Sequence, residues 1–303
     1  MTNRATLHPA ALQALFEMAP DAMIISDVEG RIVLANPQAE KLFGYTATQL
    51  RSLSVEALVP ERVRATHHLH RERFIAHPRM RPMGTGQELA GVRADGTLFP
   101  VEIALSPIQT EDGNFFVASV RDISESHRAR QALTRARYDA IVADIGRLML
   151  ESANQDVAFE SVPARLAREL DIAAVAIVSS QPHITPVRIR AAVGLTSELQ
   201  ELLPELLPAE FFAAASTIHL DAVDDAATGR VRSVLAEAGY GDFVAAPLFD
   251  RTQPLGALIA VARGADTFKS DKVQFLQSVA YLLAATMQRY RTEEQLAHAQ
   301  RLD

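Results

Sequence analysis

The sequence predicts a mixed α+β protein of two domains in series, joined by one long helix and closed by another. Three observations carry this. β-Rich runs separated by Asp-Gly turns recur in the first third, the stretch Ile123 to Leu150 holds no Gly or Pro except Gly146, and the remainder alternates helical patches with buried-strand runs. At roughly 100 to 200 residues per domain, a chain of 303 residues has room for two ordinary cores.

Ala22 to Ser26 and Arg31 to Ala35 flank the turn Asp27 to Gly30 and suit an antiparallel hairpin. Pro37 to Phe43 follows as a helix, with Asn36 placed to cap it and Pro37 suited to its first turn. A second helix is predicted from Pro60 to about Phe74, rich in Arg, His and Glu. Strands are expected near Gln87 to Arg93, Phe99 to Ser106 and Phe115 to Arg121, with Asp-Gly turns at Ala94 to Thr97 and Glu111 to Asn114. In the connector, Ala129, Leu133, Ala136 and Ala140 alternate four and three apart, which keeps one stripe on one side of a continuous helix.

Asp156 to Glu169 reads as helical with a break expected at Pro163, and Ile172 to Val178 as a buried strand. Another strand is expected at Val187 to Val193. Loops and short helices fill Gly194 to Glu237, with Ile218 and Leu220 marking a short strand. Phe243 to Phe249 and Leu255 to Val261 form a strand pair. Ser270 and Asp271 then start a last helix toward Asp303. Its stripe of Val273, Leu276, Ala280, Leu283, Met287 and Tyr290 is long enough to serve both its own core and a partner helix.

Composition removes several chemistries. With 30 Lys+Arg against 37 Asp+Glu the net charge is -7 and no basic stripe is present, so nucleic acid is not an expected partner. Zero cysteines exclude disulfides, Cys-ligated zinc, iron–sulfur clusters, thiol nucleophiles and the cysteine adducts of flavin and bilin photoreceptors. Met1 to Leu12 lacks an apolar leader core, and no apolar run approaches the ~18 residues that span a bilayer. A cytoplasmic protein with no membrane partner is expected. No phosphate-binding G-x-x-x-x-G-K-[ST], H-E-x-x-H or G-x-S-x-G occurs, so no catalytic site is expected in this chain.

Four stretches, Met18 to Asp27, Gly30 to Tyr45, Arg93 to Glu102 and Arg121 to Glu125, resemble the signatures of PAS sensor domains. The resemblance implies a five-stranded antiparallel sheet with helices cupping one face around a ligand pocket, over residues 9–124. A helical connector, 125–150, follows. Residues 151–289 resemble a GAF domain through their element order and through Ala246-Pro-Leu248 and Pro254 to Leu258. The cyclic-nucleotide signature of some GAF domains is not recognisable. Residues 290–303 read as a coiled-coil helix, and Glu293 to Asp303 resembles the helix entering the phosphoacceptor domain of PAS-containing histidine kinases. On that resemblance the chain stops before its output domain.

His67 and His70, three apart, would share a helix face, but no third ligand at a clear spacing accompanies them. Val59 to His67 and Gly84 to Gln87 resemble FixL-type oxygen-sensing heme PAS kinases. This places the axial ligand of heme b on His67 and puts Gln87 where the family has a ligand-contacting Arg. Gln87 would donate a hydrogen bond to bound gas without that charge. On the residues alone, His67 is equally a surface histidine, and the pocket holds an unidentified small ligand or none. Phe211, Phe212, Phe243 and Phe249 could line a pocket of the second domain, but as strand-face aromatics they are expected in the core. Arg230 and Arg232, near Asp224 and Asp225, are expected on a solvated loop.

Together these readings predict a PAS-GAF input module, a parallel homodimer with Leu283 and Met287 at its seam, coupling a small-molecule or gas ligand to a kinase in cis. The alternatives are a ligand-free dimerisation scaffold and the input of a diguanylate cyclase or transcription regulator.

Overall fold

The computed structural model describes residues 8–76, 81–82, 89–111, 113–152, 155–181, 184–197, 200–201, 207, 217–219, 232–233, 235–250 and 253–299. The chain divides into two compact units between Ala132 and Leu133.

The first unit runs α1 (Pro9–Glu17), β1 (Ala22–Ser26), β2 (Ile32–Ala35), α2 (Pro37–Phe43), α3 (Ala47–Arg51), two 3-10 turns (Val55–Leu58 and Glu61–Val63), α4 (Arg64–Ala76), β3 (Arg81–Pro82), β4 (Leu89–Val92), β5 (Leu98–Thr110) and β6 (Gly113–Asp122). Its antiparallel sheet is ordered β2-β1-β6-β5. Beyond β5 the fifth position is shared by two short strands. β4 pairs with the start of β5, Leu89 opposite Val101, and β3 pairs further along, Arg81 opposite Leu105. The hairpin, the Asp95-Gly96 turn and the helical middle therefore fall where the turn chemistry places them, while Asp112 of the second Asp-Gly turn lies outside the described residues.

Asn36 holds the entry to this unit together. Fully buried, it accepts hydrogen bonds from the Ala39 and Met23 amides at Oδ1 and donates through Nδ2 to the carbonyls of Phe16 and Asp21. One side chain thus caps α2 and ties it to β1 and α1. Phe43, Leu50, Phe99, Val101 and Val120 pack into the core beside it.

In the second unit, α5 (Ser124–Glu151) enters across the division as one unbroken helix. It leads to α6 (Gln155–Leu170), β7 (Ala174–Gln181), β8 (Ile184–Val193), β9 (Ile218–His219), β10 (Asp242–Asp250), β11 (Gln253–Ala262) and α7 (Ser270–Ala299). The sheet order is β8-β7-β11-β10-β9. Both faces are covered, which is why these strands read as continuous apolar runs. Val175, Ile177, Val244, Leu258 and Ala260 face α5, α6 and α7. Ala176, Val178, Phe243, Ala245, Ile259 and Val261 face the opposite core with Leu235 and Tyr240.

Two expectations are corrected. α6 passes through Pro163 without a break. Proline there forfeits one backbone hydrogen bond, but Phe159, Val162 and Leu166 are fully buried on the same helix, and their packing outweighs a local cost of about 3 kcal/mol. The seam assigned to α7 is also overturned. Leu283, Met287 and Tyr290 are 0%, 4% and 8% exposed and pack against Ile141, Ile145 and Met149 of α5 in their own core. The Tyr290 hydroxyl donates to the Met149 carbonyl at 2.6 Å. Phe211, Phe212, Leu220, Asp224, Asp225 and Arg230 lie outside the described residues, Phe243 is core as expected, and Arg232 is exposed.

Asn36→Ala should lower unfolding free energy by about 2–4 kcal/mol in denaturant titration, because it deletes a cap and strands buried carbonyls. Leu283→Asp should unfold the second unit, with loss of its cooperative melting transition. A natively folded Leu283→Asp variant would contradict this packing.

Candidate functional site

One face of α4 is aimed at the sheet. His67, His70, Arg71 and Phe74, spaced i, i+3, i+4 and i+7, line a partly open cavity of about 110 Å³. The other described side chains of the helix, Arg64, Ala65, Thr66, His68, Leu69 and Arg73, are exposed. Opposite stand Ile24 and Ser26 of β1, Gly91 of β4, Val101 and Ile103 of β5, and Phe116, Ala118 and Val120 of β6. Phe74 meets Phe116 with ring centroids 5.6 Å apart. Gly91 lies where a Cβ would come within 2.9 Å of the Phe99 ring, so the missing side chain lets that ring pack under β4.

The polar wall is a chain of charges. Arg71 Nε donates to Glu56 Oε1 at 2.9 Å, and Nη1 donates to the Val28 carbonyl at 2.8 Å. Its guanidinium lies against Gly30, where a Cβ would approach to 3.0 Å and φ is +85°. Arg71 thereby locks α4 onto both the 3-10 turn and the β1–β2 hairpin. His67 Nδ1 stands 3.6 Å from the same Glu56 oxygen, too far for a hydrogen bond, and is buried without a partner.

Burial lowers the His67 pKa below its ordinary value, and the Arg71 charge adds to this, outweighing Glu56, so the neutral imidazole is favoured. Burial alone would raise Glu56. Its own backbone amide and Arg71 overcome that and hold the carboxyl below the usual range.

A neutral imidazole beside an apolar cavity is a sound iron ligand in kind. Among the described residues the space as it stands is small for heme. A cavity of about 110 Å³ is of the order that holds one benzene-sized ring, far short of a porphyrin. Among the described residues no group of three His, Asp or Glu side chains could hold a bare metal ion. Gln87, Gly84 and His77 lie outside the described residues. Of the predicted site, the structure brings His67 and His70 to the cavity. Sequence reasoning missed Glu56, Arg71 and Gly91. The four-residue spacing of His67 and Arg71 was a usable signal, whereas nothing in the spacing points to Glu56.

Residues 20–125 match the PAS domain family and residues 155–287 the GAF domain family. The chain is 30% identical over 162 residues to the sensor protein FixL of Bradyrhizobium diazoefficiens, an alignment covering 53% of this chain and 30% of FixL. It is 28% identical over 135 residues to the cell-division control histidine kinase PdhS of Brucella anthropi, covering 44% of this chain and 12% of that protein. The chain thus spans less than a third of the length of these relatives. The solved GAF domain of a phosphoenolpyruvate-protein phosphotransferase from Coxiella burnetii aligns with 53% of this chain and 98% of its own, at 20% identity and a TM-score of 0.43. The chain thus carries a PAS domain over residues 20–125 followed by a GAF domain over residues 155–287.

Proposed function

We propose that the chain is the homodimeric input part of a signalling protein, in which a compact ligand in the PAS cavity biases an output domain in cis, a histidine kinase. The observation that carries this reading is the cavity itself, apolar on the sheet side and charged on the α4 side. It suits a molecule of about one ring or a short chain with one polar end. Similarity to a protein named as a sensor and to histidine kinases supports the kinase output. Among the described residues no helix is long and apolar enough to cross a membrane, and a cytoplasmic location belongs to the same reading.

The sheet offers a short route from ligand to output. Phe116, Ala118 and Val120 line the cavity from β6. Two residues further, Asp122 accepts from the Ser124 amide at 2.8 Å at the start of α5 and pairs with Arg93 at 2.7 Å. A ligand that shifts β6 therefore acts on the first turn of the connecting helix.

The heme reading of His67 and Gln87 requires the cavity to widen several-fold. Protein expressed with added heme should show no Soret band, and native mass spectrometry should show a small organic adduct that Arg71→Ala weakens. A Soret band that His67→Ala abolishes would overturn the compact-ligand reading in favour of heme. A protein free of any adduct would favour the ligand-free scaffold.

His67 also predicts a pH dependence. Its folded pKa lies below the ordinary value of about 6.5, so the unfolded chain binds more protons in the window between the two. The stabilisation is complete above that ordinary value and is lost as pH falls through it toward the folded pKa. Melting temperatures at about pH 7.5 and about pH 5.5 should differ more for wild type than for His67→Phe. An equal difference would place the titration elsewhere.

A further inference from the structure

The wall of the first unit's cavity holds more hydrogen-bond donors than the protein uses. Arg71 carries five N–H groups on a side chain only 14% exposed. Nε donates to Glu56 and one N–H of Nη1 to the Val28 carbonyl. Among the described residues no acceptor takes the other three. Ser26 supplies a further donor. It is 7% exposed, shares the cavity face of β1 with Ile24, and its hydroxyl bonds to no other described residue. Val28, the acceptor of Arg71, lies two residues beyond it. Across the sheet Ser26 is the register partner of Phe116, whose ring meets Phe74, one turn along α4 from Arg71. The spare donors therefore flank one aromatic pair.

Charge narrows what these donors can receive. Among the described residues no Asp or Glu lines the cavity, and the guanidinium that does is already balanced by Glu56 at 2.9 Å. Burial favours the neutral form of His67, which adds no charge. An anion entering this wall would find no counter-ion left, and a cation would meet Arg71, so either would lose its hydration without a partner. A neutral molecule with an acceptor oxygen avoids both costs and accepts from a charged donor, the stronger kind of hydrogen bond. We propose that the cavity binds an uncharged aryl carbonyl compound, with its ring against Phe74 and Phe116 and its carbonyl oxygen accepting from Arg71 and Ser26. The inference rests on the ligand-binding reading above and adds the chemical class of the ligand.

Four probes of similar size separate the classes: acetophenone, ethylbenzene, benzoate and benzylammonium, titrated calorimetrically into the full chain at about pH 8, where both ions keep their charge. Acetophenone should bind about ten-fold tighter than ethylbenzene, which lacks the acceptor, and tighter than either ion. Ser26→Ala should narrow the lead of acetophenone over ethylbenzene several-fold and leave ethylbenzene unmoved. Glu56→Gln removes the charge that balances Arg71 and should tighten benzoate on the order of ten-fold. Equal binding of acetophenone and ethylbenzene would overturn the hydrogen-bonded carbonyl. Benzoate ahead of acetophenone in the wild-type chain would overturn the uncharged class. Either result leaves the ligand-binding reading standing, whereas binding of none of the four would overturn that reading together with this inference.

Discussion

A sheet whose two faces are both apolar must be covered on both, and this demand organises the second unit. β7, β10 and β11 alternate side chains between two cores, so three helices are recruited to one face. Each of them has only one circumference to distribute. α7 gives its whole Leu276 to Tyr290 stripe to that face and closes it with the Tyr290 hydroxyl on α5. α5 meets the sheet with Ile141, Ile145 and Met149, which leaves its other stripe unspent. The same demand keeps α6 helical through Pro163, because breaking there would expose Phe159 and Val162.

In the first unit the corresponding role falls to polar groups. Asn36 satisfies four backbone partners from three elements, and Arg71 anchors α4 to a turn and a hairpin distant in sequence. An arginine at a cavity wall is tolerable because Glu56 neutralises it, and the same carboxylate leaves His67 short of a hydrogen bond. Rigidity and an unsatisfied group therefore meet at one place.

How much was legible differs by element. Turn chemistry marked the first sheet: Asp27 to Gly30 and Asp95-Gly96 each sit between paired strands, and Asn36-Pro37 opens a helix. The histidine face of α4 was visible from its spacing. Its size and charge environment were not, since Glu56 reaches Arg71 only through the fold. The doubled edge of β5 also escaped, because strands as short as β3 leave no periodicity to read.

Local pattern and composition are enough to give the order of elements, the two domain types, the continuity of α5 and the absence of cysteine chemistry. Which side of each amphipathic helix meets a core depends on packing between elements distant in the chain. α5 and α7 both carry three-four stripes, and a stripe states a period but not a partner. Burial assigned the stripe of α7 to its own chain and left that of α5 to solvent, since the sheet could be covered only once from that side.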